Sequence, residues 1–259
     1  MKPFGKTMAM LAVTAFLVAG IARAEVVQRG NLRITVGAEL SPQRLPRAGA
    51  APIAVTVGGR IATTDDGLPP QLKSLRIELN RHARLETAGL PRCRESQIQP
   101  ASTARALAAC RAALVGQGDF SVDVVLGTQQ AYPAKGRLLV FNGTYEGRPA
   151  LLGQIYSAHP FGNSFVIPFA IGKLRRGRFG TTLTAKLPRS FTDWGYLTGL
   201  TMRLGRRYLH EGRRHSVLSS GCPAPEGFPG ATFPLARASF GFSTQKIGVT
   251  LTRSCEARG

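Results

Sequence analysis

Strict alternation of apolar and polar side chains, repeated segment after segment, is what most limits the folds open to this chain. It is densest in residues 137–172. Leu138, Leu139, Val140 and Phe141 form one apolar run, with Asn142-Gly143 as its expected stop. A second runs from Ala150 to Tyr156 after the turn residues 146–149. Phe165, Ile167, Phe169 and Ile171 then alternate with their neighbours, the period of a strand with one buried face. The spacing predicts three consecutive strands in the middle of a sheet.

The same period recurs along the rest of the chain. Leu32, Ile34, Val36, Ala38 and Leu40 face one way. Ile53, Val55, Val57 and Ile61 follow, with Gly58-Gly59 expected to bulge or bend. Asp65-Asp66-Gly67 opens a turn, and Leu75, Ile77 and Leu79 make a further strand. Further strands are expected at Phe120–Leu126, Phe179–Leu187, Leu200–Leu204, Ala238–Phe242 and Ile247–Leu251. A turn over residues 211–214 reverses the chain after Tyr208, and the prolines of 222–230 exclude regular structure. Residues 102–113 are the single expected helix, rich in Ala, Leu and Arg, capped by Ser102 or Thr103 and covering an edge or end of a sheet. The expectation is one all-β domain over residues 25–259, a sandwich or open barrel of about a dozen antiparallel strands with one short helix. A sub-boundary is marked near residues 93–118.

The first 24 residues read as a cleaved signal peptide. Lys2 and Lys6 precede an apolar stretch over 8–21, and Ala22-Arg23-Ala24 is an A-x-A site before Glu25. The stretch is too short to span a bilayer, so a secreted or periplasmic soluble protein is expected. Cleavage removes Lys2, Lys6 and Arg23, so the 34 Lys and Arg of the whole chain fall to 31 against 14 Asp and Glu, a net charge of +17. Such a charge draws a protein toward anionic partners. Cys93, Cys110, Cys222 and Cys255 all lie in the exported part. Three pairings of four cysteines exist, and Cys93–Cys110 with Cys222–Cys255 is favoured because each closes a local loop. No C-x-x-C spacing and no neighbouring histidine support zinc.

Five short elements carry a resemblance: Leu79-Asn80-Arg81-His82; Gly89-Leu90-Pro91-Arg92-Cys93; residues 110–118; Phe141-Asn142-Gly143; and residues 222–228. Together they resemble an exported bacterial family of unassigned function, over almost the whole mature chain. The resemblance implies export and the four-cysteine framework. It implies no activity, ligand or catalytic residue.

Chemistry-bearing patterns are sparse. The sequence has no G-x-S-x-G elbow, no phosphate-binding G-x-x-x-x-G-K-[ST] loop and no H-E-x-x-H. His210 and His215 flank a turn with Glu211 beside them, a pattern that reads first as exposed polar residues. Asn80, His82 and Glu86 suggest a polar site or, more simply, a turn held by side chain to backbone bonds. Asp119 and Asp123 fall on a solvated face. No catalytic residue, cofactor or metal ligand is therefore assigned. The candidate anion-binding residues are Arg175, Arg176 and Arg178 in one turn and Arg203, Arg206 and Arg207 near another. Tyr208 is the one aromatic near them, which argues against single-stranded nucleic acid. An anionic envelope polymer or lipid head group is the expected partner. The expected function is a non-catalytic binding or structural module of the cell envelope. The rivals are a carrier of a hydrophobic ligand inside a curved sheet and an envelope hydrolase. A filled or hollow sheet interior separates these readings.

Overall fold

The computed structural model describes residues 24–159 and 162–258. The expected signal peptide lies outside them apart from Ala24. Eighteen strands are present: β1 (Ala24–Arg29), β2 (Leu32–Ser41), β3 (Arg44–Pro46), β4 (Ala51–Pro52), β5 (Ala54–Thr63), β6 (Leu72–Asn80), β7 (Ala83–Leu85), β8 (Leu114–Val124), β9 (Tyr132–Tyr145), β10 (Arg148–Ser157), β11 (Asn163–Lys173), β12 (Phe179–Lys186), β13 (Gly195–Leu204), β14 (Arg207–His210), β15 (Arg213–Ser216), β16 (Leu218–Ser220), β17 (Gly230–Phe242) and β18 (Lys246–Arg258). Three helices accompany them: α1 (Glu95–Ile98), α2 (Thr103–Cys110) and α3 (Arg189–Thr192).

Thirteen strands form one curled sheet, in the order β1-β2-β5-β13-β8-β9-β10-β11-β12-β6-β17-β18-β3. All pairs are antiparallel except β18 with β3. The stretch 137–172 supplies β9, β10 and β11, which are the sixth, seventh and eighth of the thirteen strands, so the most apolar segment does form the middle. Curling brings the two ends of the sheet together. Glu25 on β1 accepts a hydrogen bond from the Thr252 amide on β18 at 2.9 Å, and Arg29 reaches the Lys246 carbonyl at 3.1 Å. The architecture is the open barrel of the two expected, not the sandwich.

The ladder explains where the sequence signals misled. Asn142-Gly143 does not stop β9, which runs on to Tyr145; the turn is Glu146-Gly147, with φ of 49° and 74°. Asn142 is buried because its side chain donates to the carbonyls of Leu90 (3.2 Å) and Pro91 (3.0 Å). Gly143 is small because the Cys93 backbone lies against it, 2.6 Å from where a Cβ would sit. Gly58-Gly59 makes no bulge, since the register of β5 on β2 runs through both without a shift. The reversal after β14 is confined to Glu211-Gly212, so Arg213 and Arg214 belong to a strand.

Inward-facing residues form one continuous core that includes Leu32, Ile34, Phe120, Leu151 and Val249. A small sheet in the order β4-β16-β7 closes one end of the barrel, and its Leu218 and the neighbouring Ile53, Leu90 and Val217 join the same core. The helix expected over 102–113 is present as α2 followed by a 3₁₀ turn at Arg111–Ala113. Ser102 caps it, accepting from the Arg105 amide at 3.3 Å. It covers neither an edge nor an end. With α1 it packs on the outer face of the central strands, burying Ile98 and Ala106 against Leu139, Phe141, Leu152 and Val166. The inner positions of these strands already face the core, so their outer apolar residues need this second cover. The one-turn helices α1 and α3 were not anticipated. Both expected disulfides are formed, Cys93–Cys110 and Cys222–Cys255, with Cα separations of 5.6 and 5.7 Å.

Candidate functional site

Small-barrel interiors are filled by side chains at about eight strands, and wider ones enclose space. Here a cavity of about 160 Å³ lies inside the curl, between β2, β5 and β13 on one side and β6, β17 and β18 on the other. Strand alternation aims Val57, Leu75, Ile77, Leu79, Leu200 and Met202 into it, yet all six remain only half-buried. Small residues stand beside them in the ladders: Ala38 pairs with Val57, Gly59 with Leu200, Ala236 with Leu79 and Ala238 with Ile77, so little side-chain volume fills the space around them. The opposite half of the interior differs. Phe120, Ile155 and Phe165 fill it, and Gly136 leaves room for the Phe120 ring, which a Cβ there would meet at 2.6 Å. A second space of about 60 Å³ lies beside α3 at the end of the barrel away from the small sheet. Its walls include Phe165 and Phe191, packed edge-to-face at 5.5 Å, and the half-exposed Trp194.

Among the described residues, the buried charge of this interior is at the seam of the barrel. Arg253 points inward from β18 with its side chain 7% exposed. Its guanidinium grips the Glu25 carboxylate at 2.6 and 3.1 Å and also donates to the carbonyls of Ala38 and Thr252. On the outer surface Glu78 is buried between Arg237 and Arg76, the latter at 3.1 Å, and Arg237 lies 4.9 Å over the Phe179 ring. Burial works to raise the Glu78 pKa, but hydrogen bonds and charge from Arg237 and Arg76 outweigh it and hold the carboxyl below its usual range.

The six candidate anion-binding arginines fall into two separate groups. Arg175, Arg176 and Arg178 lie in the turn between β11 and β12; Arg203 is the last but one residue of β13, Arg206 precedes β14 and Arg207 begins it. Both groups are at the end of the barrel closed by the small sheet, but β8, β9 and β10 stand between them. At about 4.8 Å per strand that is roughly 19 Å along the sheet. Arg206 is also engaged, donating to the carbonyls of Ala112 (2.7 Å) and Leu114 (2.9 Å).

The other polar residues serve the fold. The Asn80 side chain accepts from the His82 amide at 3.0 Å, the turn expected from the sequence, while Glu86 pairs instead with His215 at 3.5 Å. His210 and His215 do face each other, with ring centroids 5.8 Å apart, and His215 stacks on Tyr208. Among the described residues no three His, Cys, Asp or Glu side chains are grouped to hold a metal. Asp119 pairs with Arg137 at 2.7 Å on the outer face. Asp65 caps its turn, and the Asn31 amide is the first of several donors that lower its pKa. Most residues around the cavity were visible in the sequence as strand positions, but Leu72, Ala83, Leu85, Leu197 and Ala236 fell outside the expected strands. What escaped notice was that small residues cluster at the inner positions of β2, β5 and β17. Comparison with known protein families, with curated proteins and with solved structures finds no match to this chain.

Proposed function

We propose that the protein is an exported, non-catalytic binding module of the cell envelope that holds a small apolar ligand inside its curled sheet. The observation that carries this reading is the cavity of about 160 Å³ walled by aliphatic side chains. An apolar cavity of about 150 Å³ stays dry and admits a ligand the size of benzene. The wall, which includes Arg60, presents no polar surface to the space, so it suits a single ring or a short stretch of alkyl chain and does not select a head group. Two disulfides belong to an oxidising compartment. With the A-x-A site before Glu25, they support export to the periplasm or the medium. The hydrolase reading draws no support from the cavity, whose wall carries no nucleophile and base pair.

The test is a titration of the folded, oxidised protein with benzene and with octanoate, followed by methyl resonances of Met202, Leu75 and Ile77. Saturable shifts at these methyls are expected for at least one of the two. Ala238→Leu, which fills the space from β17, is expected to remove them while the protein stays folded. If neither compound shifts these methyls, or if Ala238→Leu binds as wild type does, the cavity is not a ligand site.

A further inference from the structure

The two ends of the barrel differ sharply in charge. The connections at the end closed by the small sheet are residues 41–54, 80–93, 145–148, 173–179, 204–230 and 256–258. They carry 15 Lys and Arg against five Glu. Those at the other end are residues 29–32, 63–72, 124–132, 157–163, 186–195 and 242–246, with four Lys and Arg against three Asp. The basic end also presents the two most exposed large apolar side chains of the described residues, Leu209 at 72% and Phe228 at 61%.

Both are held out on rigid supports. Leu209 lies on the outward face of the β14–β15 hairpin, opposite Arg214 in register and two residues from the exposed Arg207. The inward face is seated on the loop before Cys93. Tyr208 donates to the Ala88 carbonyl at 2.8 Å, and the His210 ring lies against Gly89 so closely that a Cβ there would come within 2.2 Å. Phe228 projects from the loop 222–229, which is anchored by the Cys222–Cys255 bridge. Arg47 reinforces it, donating to the carbonyls of Ala224, Pro225 and Phe228. The backbone under each side chain is already tied down, so little main-chain entropy is lost on binding.

We propose that this basic end docks on an anionic lipid bilayer, with Leu209 and Phe228 entering the headgroup boundary and the surrounding arginines meeting lipid phosphates. Charge alone fits any polyanion. The exposed Leu and Phe decide for a membrane, because a hydrated polymer gives them nothing to enter, whereas apolar insertion and attraction to anionic lipids add together at a bilayer. This surface is remote in kind from the apolar cavity, and its test is independent of ligand binding there.

The experiment is co-sedimentation of the mature, oxidised protein with vesicles of phosphatidylcholine, alone or mixed with phosphatidylglycerol. Binding is expected only to the mixed vesicles and should weaken as salt screens the charge. Leu209→Asp and Phe228→Asp should each weaken it by about tenfold or more, as follows from removing a large apolar side chain from a site it buries. Both positions are exposed, so the variants should keep the wild-type urea midpoint. Leu68→Asp and Trp194→Asp, exposed at the other end, should leave binding unchanged. The proposal fails if the Leu209 and Phe228 variants bind mixed vesicles as wild type does. It also fails if the Leu68 and Trp194 variants are the ones that lose binding. It fails equally if soluble dextran sulfate is bound as tightly as the vesicles and all four variants behave alike, which would make the partner a polymer.

Discussion

Replacing Arg253 by Leu should open the barrel at its seam. The guanidinium links β18 to β1 and β2 on the interior side, with bonds to Glu25 and to the Ala38 carbonyl among its contacts. Removing one partner of a fully buried ion pair costs about 3–5 kcal/mol, because the other charge is stranded. Glu25 is 26% exposed and can regain water, so the electrostatic loss should fall below that range. The carbonyls of Ala38 and Thr252 lose a donor, worth about 1 kcal/mol each. The expected net loss is about 2–3 kcal/mol, read as a lower urea midpoint with an unchanged slope. Glu25→Gln keeps hydrogen-bonding atoms but leaves the Arg253 charge, 7% exposed, without its counter-charge, so it should also cost about 2–3 kcal/mol. The double variant Glu25→Leu with Arg253→Leu should recover much of the loss, since an apolar pair of similar volume leaves nothing stranded. A single Arg253→Leu variant within about 0.5 kcal/mol of wild type would refute the seam argument. So would a double variant whose loss equals the sum of the singles, because the pair would then be uncoupled.

The Glu78 cluster gives a pH dependence. The Glu78 pKa is lowered in the fold, so its contribution is complete above the unfolded value of about 4.3 and is lost as pH falls through the folded value. The urea midpoint should therefore drop on acidification in wild type and drop less in Glu78→Gln; equal slopes would remove the assignment. The disulfides close loops of 17 and 33 residues. Replacing either pair by Ser should cost about 3–4 kcal/mol, slightly more for Cys222–Cys255. Hydrogen exchange should locate the loss, around α2 for the first pair and around residues 222–229 for the second; the reverse pattern would contradict the packing described.

Alternation made most strands legible, because the two faces of a half-buried strand meet different solvents. It could not order them. β13 lies between β5 and β8, so the strand beginning at Gly195 joins partners more than 70 residues earlier. Nothing local in the sequence records such a pairing. Asn142 misled for a related reason: an Asn-Gly pair is a turn signal only when its side chain bonds locally, and here it reaches back to the carbonyls of Leu90 and Pro91. The helix was legible from its composition and cap. Its place was not, since the outer apolar residues Leu139, Phe141 and Leu152 read as part of a continuous run instead of as a second buried face. Of the six arginines proposed from sequence, all lie at one end of the barrel, but two turns that are distant in the sheet look alike in a list of charges.

The cavity was the hardest feature to read, and the reason is general. Periodicity tells which face of a strand is buried; it does not tell whether the space behind that face is full. That depends on strand number and on residue size at positions brought together only by the fold. In β6 the usual relation is even inverted: Glu78 and Asn80 are buried on the outer face, while Ile77 and Leu79 keep part of their surface accessible inside. A void of this size carries a penalty on the order of 4 kcal/mol, at about 24 cal/mol per Å³. Native stability is only about 5–15 kcal/mol, so the penalty is large. It is also easily avoided, because one larger side chain at Ala38, Ala236 or Ala238 would recover part of it. A sequence that keeps alanine and glycine at these inner positions, beside leucine, isoleucine and valine, gives up stability for open space. Such an exchange is expected where the space is used. On this reasoning Ala238→Leu should raise the urea midpoint at the same time as it removes binding of a small apolar ligand. A variant that lost binding and stability together would instead have overfilled a core with no room to spare.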